Sequence, residues 1–304
     1  MVMKSTLLFL SRQEKLKNFV LGFEFAQRIS RRFVSGETQE ETVEVVKELN
    51  QKGFLATLDH LGENVTNRDE ATNSAEEYLF LLDKINQAKV NSNVSCKLTQ
   101  MGLDLDFDFC LQNVRRIVER AKLYDNFVRI DMEDSPRTEK TLQICYTLHK
   151  EYSNLGAVIQ SYLYRSEEDV RKLLAQNIRI RLCKGAYKEP KEVAFQRKKE
   201  VDGNFVKLMK MMLKSGVYHG IATHDDKMIQ ATIDFAKKEN IDKESFEFQL
   251  LYGIRRELQE ELIKQGYNVR VYTPYGDQWY PYFMRRMAER PANLFFVAKN
   301  FFRR

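Results

Sequence analysis

The ten residues IRIRLCKGAY, numbers 178–187, carry the pattern that decides the fold. A short, β-branched run is closed at once by polar and turn-forming residues, as expected for a buried strand that leads into a loop. The same pattern recurs along the chain, so that eight strands are predicted in all. The other seven stretches are FLATLDHLG (54–62), NVSCKLTQMGL (93–103), FVRIDMED (127–134), LGAVIQSY (155–162), GIATHD (220–225), FEFQLLYG (246–253) and VRVYTPYG (269–276).

Charged, amphipathic segments with helical spacing lie between these strands; examples are residues 74–89, 137–152, 166–176, 192–216, 227–240 and 255–266. Strand and helix alternating eight times predict parallel strands closed into a distorted (β/α)8 TIM barrel with its helices outside. The length of 304 residues suits one such barrel. A doubly wound open sheet is the alternative, but the first predicted strand is not followed by GxGxxG.

The chain divides into an N-terminal helical arm, residues 1–52, and the barrel, residues 53–304. The first 35 residues mix apolar and basic positions at near-helical spacing, which predicts one or two helices outside the repeat. A further helix is predicted from an N-cap at Thr38, with Glu41 three residues on, to Asn50, and Gly53 ends it.

Charge and cysteine usage exclude several classes of protein. The excess of six positive charges is spread thinly, without the compact basic run of a nucleic-acid binder. The four cysteines form no CxxC pair and the four histidines lack metal-ligand spacing, so no metal site is predicted. No stretch is long and apolar enough for a membrane span. We expect a cytoplasmic protein. The aromatic and basic tail, residues 293–304, is predicted to pack on the bottom or side of the barrel; the alternative is contact with lipid, which would place the protein peripherally on the inner face of the cell membrane.

Polar side chains stand at the predicted carboxyl ends of nearly every strand. In a parallel barrel these ends and the loops after them form the active site, whereas a structural interior would be filled by Val, Ile and Leu. The pattern therefore predicts a polar site at this end. Its candidates are Asp59, Glu63, Lys97, Gln100, Asp131, Glu133, Gln160, Arg181, Lys184, Thr223, His224, Gln249, Tyr252 and Tyr272.

The segment YTPYGDQWYPYFMRRMAE, residues 272–289, adds a second group of candidates. If it is helical from about Tyr280, then Tyr282, Arg285, Arg286 and Glu289 share one face at i, i+3, i+4 and i+7. Two adjacent guanidinium groups are well shaped to bind a carboxylate, and a neighbouring aromatic ring can enclose an apolar body. The segment therefore indicates a small carboxylic acid as ligand, whereas the plain alternative is a solvated helix face.

The cations of the predicted site outnumber its anions, which favours an anionic ligand. The chain has no HExxH motif, nucleophile elbow or Walker loop to support hydrolysis. Two hypotheses for an enzyme stay open. One is a Schiff-base aldolase that uses Lys97 or Lys184; the other is an enzyme whose cofactor carries out the chemistry while the protein supplies binding and electrostatics. A non-catalytic scaffold is the third reading.

Five strand ends and the last predicted helix resemble the proline dehydrogenases, specifically the short single-function bacterial type. The matching stretches are CKLTQMGLD, RIDMEDS, VIQSYLYRS, RLCKGAYKEP, ATHDD and YTPYGDQWYPYFMRRMAERPAN, and the resemblance runs from about Phe54 to Phe296. It implies a flavoprotein barrel that holds FAD and oxidises L-proline to 1-pyrroline-5-carboxylate, the first step of proline catabolism to glutamate, with a membrane quinone as electron acceptor. A folate reductase shares the architecture, but the paired arginines argue against it.

The resemblance also implies roles for individual residues. Catalytic roles fall to Asp131, Arg181 and Tyr272, with Asp131 orienting Lys97 or adjacent groups. Arg285 and Arg286 would bind the proline carboxylate beside Lys97; Tyr187, Tyr272 and Tyr282 would enclose the ring; Glu63 would pair with Arg285 as a gate, and Glu289 completes the substrate set. FAD would be held by Met132, Gln160, Arg181, Lys184, Gly185, Ala186, Thr223 and His224. The tryptophan that often follows KGAY is Lys188 here.

Overall fold

A computed structural model describes residues 32–280 and residue 282. Within them, eight parallel strands close into a barrel in sequence order, and helices alternate with the strands around its outside. The predicted eight-stranded barrel is confirmed, and the open-sheet alternative is wrong because the last strand pairs with the first. Arg285, Arg286 and Glu289, most of the N-terminal arm and the tail lie outside the described residues.

The predicted strands all form, most of them slightly shorter than their sequence patterns. They are β1 (Leu55–His60), β2 (Ser92–Cys96), β3 (Val128–Ile130), β4 (Leu155–Gln160), β5 (Arg179–Cys183), β6 (His219–Ala222), β7 (Phe246–Leu251) and β8 (Asn268–Tyr275). The helices are α1 (Gln39–Gln51), α2 (Arg68–Ala88), α3 (Phe107–Leu123), α4 (Thr138–His149), α5 (Ser166–Leu174), α6 (Lys198–Leu213), α7 (Asp226–Lys238) and α8 (Arg256–Lys264). Short 3-10 turns occur at Ser135–Arg137 and Lys243–Ser245.

Helix α1 follows its sequence signals closely. Thr38 accepts a hydrogen bond from the Glu41 amide while the Glu41 side chain returns to the Thr38 amide, which completes a capping box. Gly53, with φ of +85°, lies in the left-handed region two residues after the helix ends and turns the chain into β1. The predicted helix before the barrel is therefore confirmed.

Strands β1 and β8 close the barrel along six residue pairs, from Leu55 opposite Arg270 to His60 opposite Tyr275. Side chains alternate along each strand between the helical layer and the interior. On β5, for example, Ile180 and Leu182 belong to the hydrophobic core, whereas Arg181 between them faces the interior cavity. The barrel thus keeps its apolar core outside the sheet and its polar residues inside.

Two differences from the predicted boundaries lie beside the site. Helix α6 begins at Lys198 although its helical spacing starts at residue 192, because Ala194 instead forms an antiparallel bridge with Leu163 beside the mouth of the barrel. Strand β2 ends at Cys96, and a series of turns begins at Leu98, directly after Lys97. Both changes lie at the carboxyl ends of strands, where loops rather than regular elements shape the site. No helix in the described part of the chain is long and apolar enough to cross a membrane.

Candidate active site

A cavity of about 930 Å³ opens at the carboxyl ends of the strands, which is large enough for a sizeable organic ligand. It brings together most of the predicted residues, including Tyr282 from the final segment. Gln100 is not part of the lining, because its amide donates to the His60 carbonyl at 3.2 Å, and Tyr252 does not line it either. Its predicted lining residues are Asp59, Glu63, Lys97, Asp131, Met132, Glu133, Gln160, Arg181, Lys184, Gly185, Ala186, Tyr187, Thr223, His224, Gln249, Tyr272 and Tyr282.

Lys97 and Asp59 form a buried ion pair on one side of the cavity. The Lys97 Nζ lies 2.8 Å and 2.7 Å from the two carboxylate oxygens of Asp59, whose side chain is 2% exposed. Burial opposes the charge on Lys97, but the carboxylates of Asp59 and Asp131 outweigh it and raise the Lys97 pKa. Lys97 therefore keeps its ammonium charge at neutral pH, balanced by the Asp59 carboxylate that lines the same cavity.

Asp131 is the centre of a second network, which lies next to the Lys97–Asp59 pair. Its Oδ1 accepts from Arg181 Nη1 at 2.7 Å and from the Ser95 hydroxyl at 2.8 Å, and its Oδ2 accepts from the Tyr272 hydroxyl at 2.9 Å. Of the two targets expected for Asp131, Lys97 or an adjacent group, the structure gives the second, because Asp59 takes the Lys97 ammonium.

Tyr272 and Arg181 form a stacked pair within this network. The Arg181 guanidinium lies 5.2 Å from the centroid of the Tyr272 ring, within the range of a cation–π contact. Burial raises the pKa of the Tyr272 hydroxyl well above its usual value, so this group stays protonated and donates to Asp131. The network therefore presents a charged guanidinium on the face of a neutral phenol.

Gln160 and Glu133 rim the cavity between β3 and β4. The Gln160 amide donates to the Glu133 carbonyl at 2.8 Å. The Glu133 carboxylate is turned away into the loop after β2, where it accepts from the Thr99 amide at 3.0 Å and the Thr99 hydroxyl at 2.6 Å. Burial raises the Glu133 pKa. Glu133 thus serves to shape the loop.

The loop after β5 wraps closely around Tyr162. Gly185 has φ of +112°, and a Cβ there would meet the Tyr162 ring at 2.5 Å, so only glycine fits. The Tyr162 hydroxyl lies 3.4 Å from Glu189, which also accepts from the Ser135 amide at 2.7 Å. The backbone of the KGAY stretch is therefore fixed at the cavity edge.

Lys184 projects between two carboxylates. Its Nζ lies 2.5 Å from Asp202 and 2.7 Å from Asp225. The hydrogen bond from Lys184 lowers the Asp225 pKa, so that carboxylate is ionised at neutral pH. A lysine held in this way is a poor amine nucleophile, and the raised pKa of Lys97 argues against it in the same way. The aldolase reading loses support at both positions.

His224 is fixed in one tautomer by the end of β7. Its Nε2 accepts a hydrogen bond from the Leu251 amide at 3.0 Å, and its carbonyl accepts from Arg255 Nη1 at 2.8 Å. A ring nitrogen used as an acceptor from the backbone does not carry a mobile proton. The proton of the neutral imidazole then lies on Nδ1, and His224 lines the cavity.

Sequence reasoning missed two residues, Ser95 and Arg255, and one pairing, that of Asp59 with Lys97. Ser95 is an ordinary small polar residue inside a predicted strand, and Arg255 stands at the start of a predicted helix, where arginine carries no signal. Asp59 was found, but its pairing with Lys97 depends on closure between neighbouring strands. No cluster of His, Cys, Asp and Glu suited to a metal occurs among the residues that the structure describes.

Comparisons with known proteins agree on one family. A family model described as "Proline dehydrogenase" matches residues 42–299. Proline dehydrogenase 1 of Bacillus subtilis (strain 168) is 46% identical over 299 residues, which are 98% of this chain and 98% of that protein. The proline dehydrogenase of Deinococcus radiodurans is 42% identical over 276 residues, 89% of each chain.

Solved structures agree at the level of the fold. The crystal structure of proline utilization A (PutA) from Bdellovibrio bacteriovorus, inactivated by N-propargylglycine, superposes with a TM-score of 0.82 at 26% identity. It covers 87% of this chain, and this chain spans 33% of that longer one.

Proposed function

The chain belongs to the proline dehydrogenase family, and we propose that it oxidises L-proline to 1-pyrroline-5-carboxylate by way of a bound FAD and passes the electrons to a membrane quinone. The observation that carries this proposal is the cavity in which two networks, Lys97 with Asp59 and Arg181 with Asp131 and Tyr272, meet the backbone of the KGAY loop. Such a site offers positive charge to an anion and a close backbone approach to a flat group.

The residues fit a flavin on two observations. The Nη2 atom of Arg181 is buried without a hydrogen-bond partner in the described chain. At Gly185 the backbone lines the cavity at a position that has no room for a side chain. When bound, FAD supplies the acceptor for a hydride. The residues that would hold it are Met132, Gln160, Arg181, Lys184, Gly185, Ala186, Thr223 and His224. Lys184 would do so with its charge already shared between two carboxylates.

Proline would lie between the Lys97–Asp59 ion pair and the final segment, residues 272–289. Lys97, Tyr187, Tyr272 and Tyr282 line the cavity and would enclose the ring. Arg285 and Arg286 would bind the carboxylate, and Glu63 and Glu289 would close the site around it; Glu63 lines the cavity and the other three lie outside the described residues. Holding the carboxylate aims the ring carbon, which is catalysis by positioning.

The ring nitrogen must be neutral when a hydride leaves the neighbouring carbon. The proposal requires the ring nitrogen to lie nearer to the Lys97 ammonium and the Arg181 guanidinium than to the carboxylates of Asp59 and Asp131 that pair with them. In that position the two cations lower the pKa of the bound amine and favour release of its proton. No strong general base is required. Both cations also stabilise negative charge that develops on the acceptor side of the site.

The electron acceptor would be a quinone at the inner face of the cell membrane, reached by peripheral contact through residues 293–304. This part of the proposal rests on the alternation of aromatic and basic residues in that stretch. It is tested separately from proline oxidation, by cosedimentation with vesicles that contain anionic lipid and by turnover with a soluble quinone.

A visible spectrum before and after L-proline, recorded under argon, tests the proposal. We expect flavin absorbance in the purified protein and its bleaching by L-proline, with D-proline as the matched control. A colourless protein with no affinity for FAD would support the non-catalytic scaffold. A borohydride-reduced adduct on Lys97 would support the aldolase. NADH-dependent reduction of a folate would support the folate reductase.

A further inference from the structure

Arg181 is held from three directions at the floor of the cavity. Its Nη1 donates to Asp131 at 2.7 Å and to the Ser95 hydroxyl at 3.1 Å, and its face covers the Tyr272 ring. Its Nε donates to Gln249 Oε1 at 2.5 Å. Because Nη2 has no partner in the described chain, the rotation of the guanidinium decides where that free donor points.

Gln249 is itself anchored deeper in the barrel. Its Nε2 donates to Oε1 of Glu247, two residues earlier on β7. Glu247 accepts from Arg270 Nε at 2.8 Å and 3.0 Å and from the Tyr218 hydroxyl at 2.9 Å. Arg270 continues to the Ala56 carbonyl at 2.6 Å. An unbroken line of hydrogen bonds therefore runs from the far end of the barrel to Arg181.

This line has a fixed direction. A carboxylate can only accept and a guanidinium can only donate, so Glu247 requires the nitrogen of the Gln249 amide and Arg181 requires its oxygen. Both ends demand the same orientation of the amide, and neither tolerates the flipped one. An apolar residue at 249 would leave the Arg181 Nε buried and unsatisfied, which is costly.

We propose that Gln249 is a positioning residue for the oxidation, which fixes the rotation of the Arg181 guanidinium through Nε, with Glu247 and Arg270 as its anchor. The inference rests on the proposed function, because it takes Arg181 to be the cation beside the reacting groups. It assigns a role to β7, a strand from which the family resemblance carried over no site residue.

Gly220 on β6 is the second observation that supports this role. A Cβ at Gly220 would lie 2.4 Å from Gln249 Nε2 and 2.8 Å from its Cδ, so the amide crosses the barrel where β6 leaves room for it. Gly220 does not itself line the cavity, and in the sheet it pairs through its backbone with Arg181 on β5 and with Glu247 on β7. It offers a way to displace Gln249 without changing any charged group.

The first experiment compares Gln249→Leu and Gly220→Ala with Gly203→Ala as the matched control, since a Cβ at Gly203 on α6 meets nothing within 4 Å. All are measured as purified, flavin-loaded protein. We expect kcat about 10-fold lower in the first two, the size of one lost hydrogen bond to a charged group, with KM for L-proline within about 2-fold. The flavin midpoint potential should become more negative in both and stay unchanged in Gly203→Ala.

The second experiment first breaks the donor and acceptor order between Glu247, Gln249 and Arg181 and then restores it by exchanging residues 247 and 249. Glu247→Gln alone removes the carboxylate that orients the amide, so we expect kcat to fall about 5-fold or more. The exchange Glu247→Gln with Gln249→Glu puts the acceptor against Arg181 and a donor amide behind it, at the same net charge. The exchange should recover kcat to within about 3-fold of the wild type, because the pairing rules are satisfied again.

A purely structural role predicts a different outcome. If Gln249→Leu and Gly220→Ala lower the melting temperature but keep the wild-type kcat and midpoint potential per bound flavin, the proposal is overturned. The same holds if the exchange is no better than Glu247→Gln. Failure of the proposed function is distinguishable, because the wild type itself would then lack flavin or proline turnover, which removes the premise and the inference with it.

Discussion

At the scale of single residues, the ion pair of Lys97 and Asp59 affects both the stability of the fold and the rate of the reaction. A double substitution separates these two effects. Lys97→Met leaves the Asp59 carboxylate buried alone, and we expect a loss of about 3 kcal/mol in the free energy of unfolding. Because burial raises the Asp59 pKa, the unpaired group will take up a proton. We expect kcat/KM for L-proline to fall about 100-fold, the usual size of the loss of one charged group from an active site.

Adding Asp59→Asn to Lys97→Met removes the buried charge altogether. We expect denaturant unfolding to show most of the lost stability restored, while turnover stays low because the positive charge beside the amine is still absent. Turnover that recovers together with stability would show that Lys97 acts only through folding.

The paired arginines give the second prediction at this scale. Arg286→Met should raise the KM for L-proline about 100-fold while flavin stays bound, because a bidentate contact to the carboxylate is lost. Arg171→Met, on an exposed face of α5 whose arginine pairs with Glu167, is the control and should leave KM unchanged. A wild-type KM in Arg286→Met contradicts the proposed carboxylate contact.

At the scale of elements, the loop after β5 supports a prediction about backbone shape. Gly185→Ala combines a positive φ with a clash against Tyr162, whereas Gly216→Ala has a positive φ of +75° but meets nothing within 4 Å. We expect Gly216→Ala to cost about 1 kcal/mol and to keep the cofactor. Gly185→Ala should lose most of its flavin, read as the ratio of visible to protein absorbance. Equal flavin content in both variants would show that the clash is absorbed elsewhere.

The elements also show what sequence could and could not predict. Strand β5 was readable because Ile180 and Leu182 alternate with Arg179 and Arg181, a periodicity that depends only on neighbours along the chain. The pairing of Asp59 with Lys97 was not, because it depends on which side chains of β1 and β2 meet inside the closed sheet. The end of β2 at Cys96 could not be predicted from the sequence for a similar reason, because Glu133 from another loop accepts a hydrogen bond from the turn that follows Lys97.

At the scale of the whole molecule, a buried histidine makes stability depend on pH. His219 accepts from the Ile180 amide at 3.0 Å and is fully buried, and burial together with Arg129 and Arg179 lowers its pKa to about 3. Below pH 6.5 the His219 imidazole is protonated in the unfolded chain but stays neutral in the folded protein. The stability contributed by neutral His219 is therefore present above pH 6.5 and is lost as pH falls, by about 1.4 kcal/mol per pH unit.

His219→Gln tests this linkage, since glutamine keeps an acceptor but has no proton to gain. Urea unfolding between pH 5 and 8 should give a smaller slope of free energy against pH in the variant, by up to one proton. His60, whose pKa is also lowered by burial, contributes equally to both proteins and cancels in the difference. Parallel curves for variant and wild type would contradict the assignment to His219.

The closure of β1 against β8 has a consequence for biosynthesis. Asp59 lies opposite Pro274, so the strand that supplies the lysine's counter-ion leaves the ribosome more than two hundred residues before the strand that seals it. Until Tyr275 has been translated, the emerging polypeptide has unpaired strand edges at both β1 and β7. Charged side chains that the closed barrel encloses, such as Asp59, are then exposed to solvent. The reaction centre is thus among the last features that synthesis completes, and until then the unpaired edges make the nascent chain prone to aggregation.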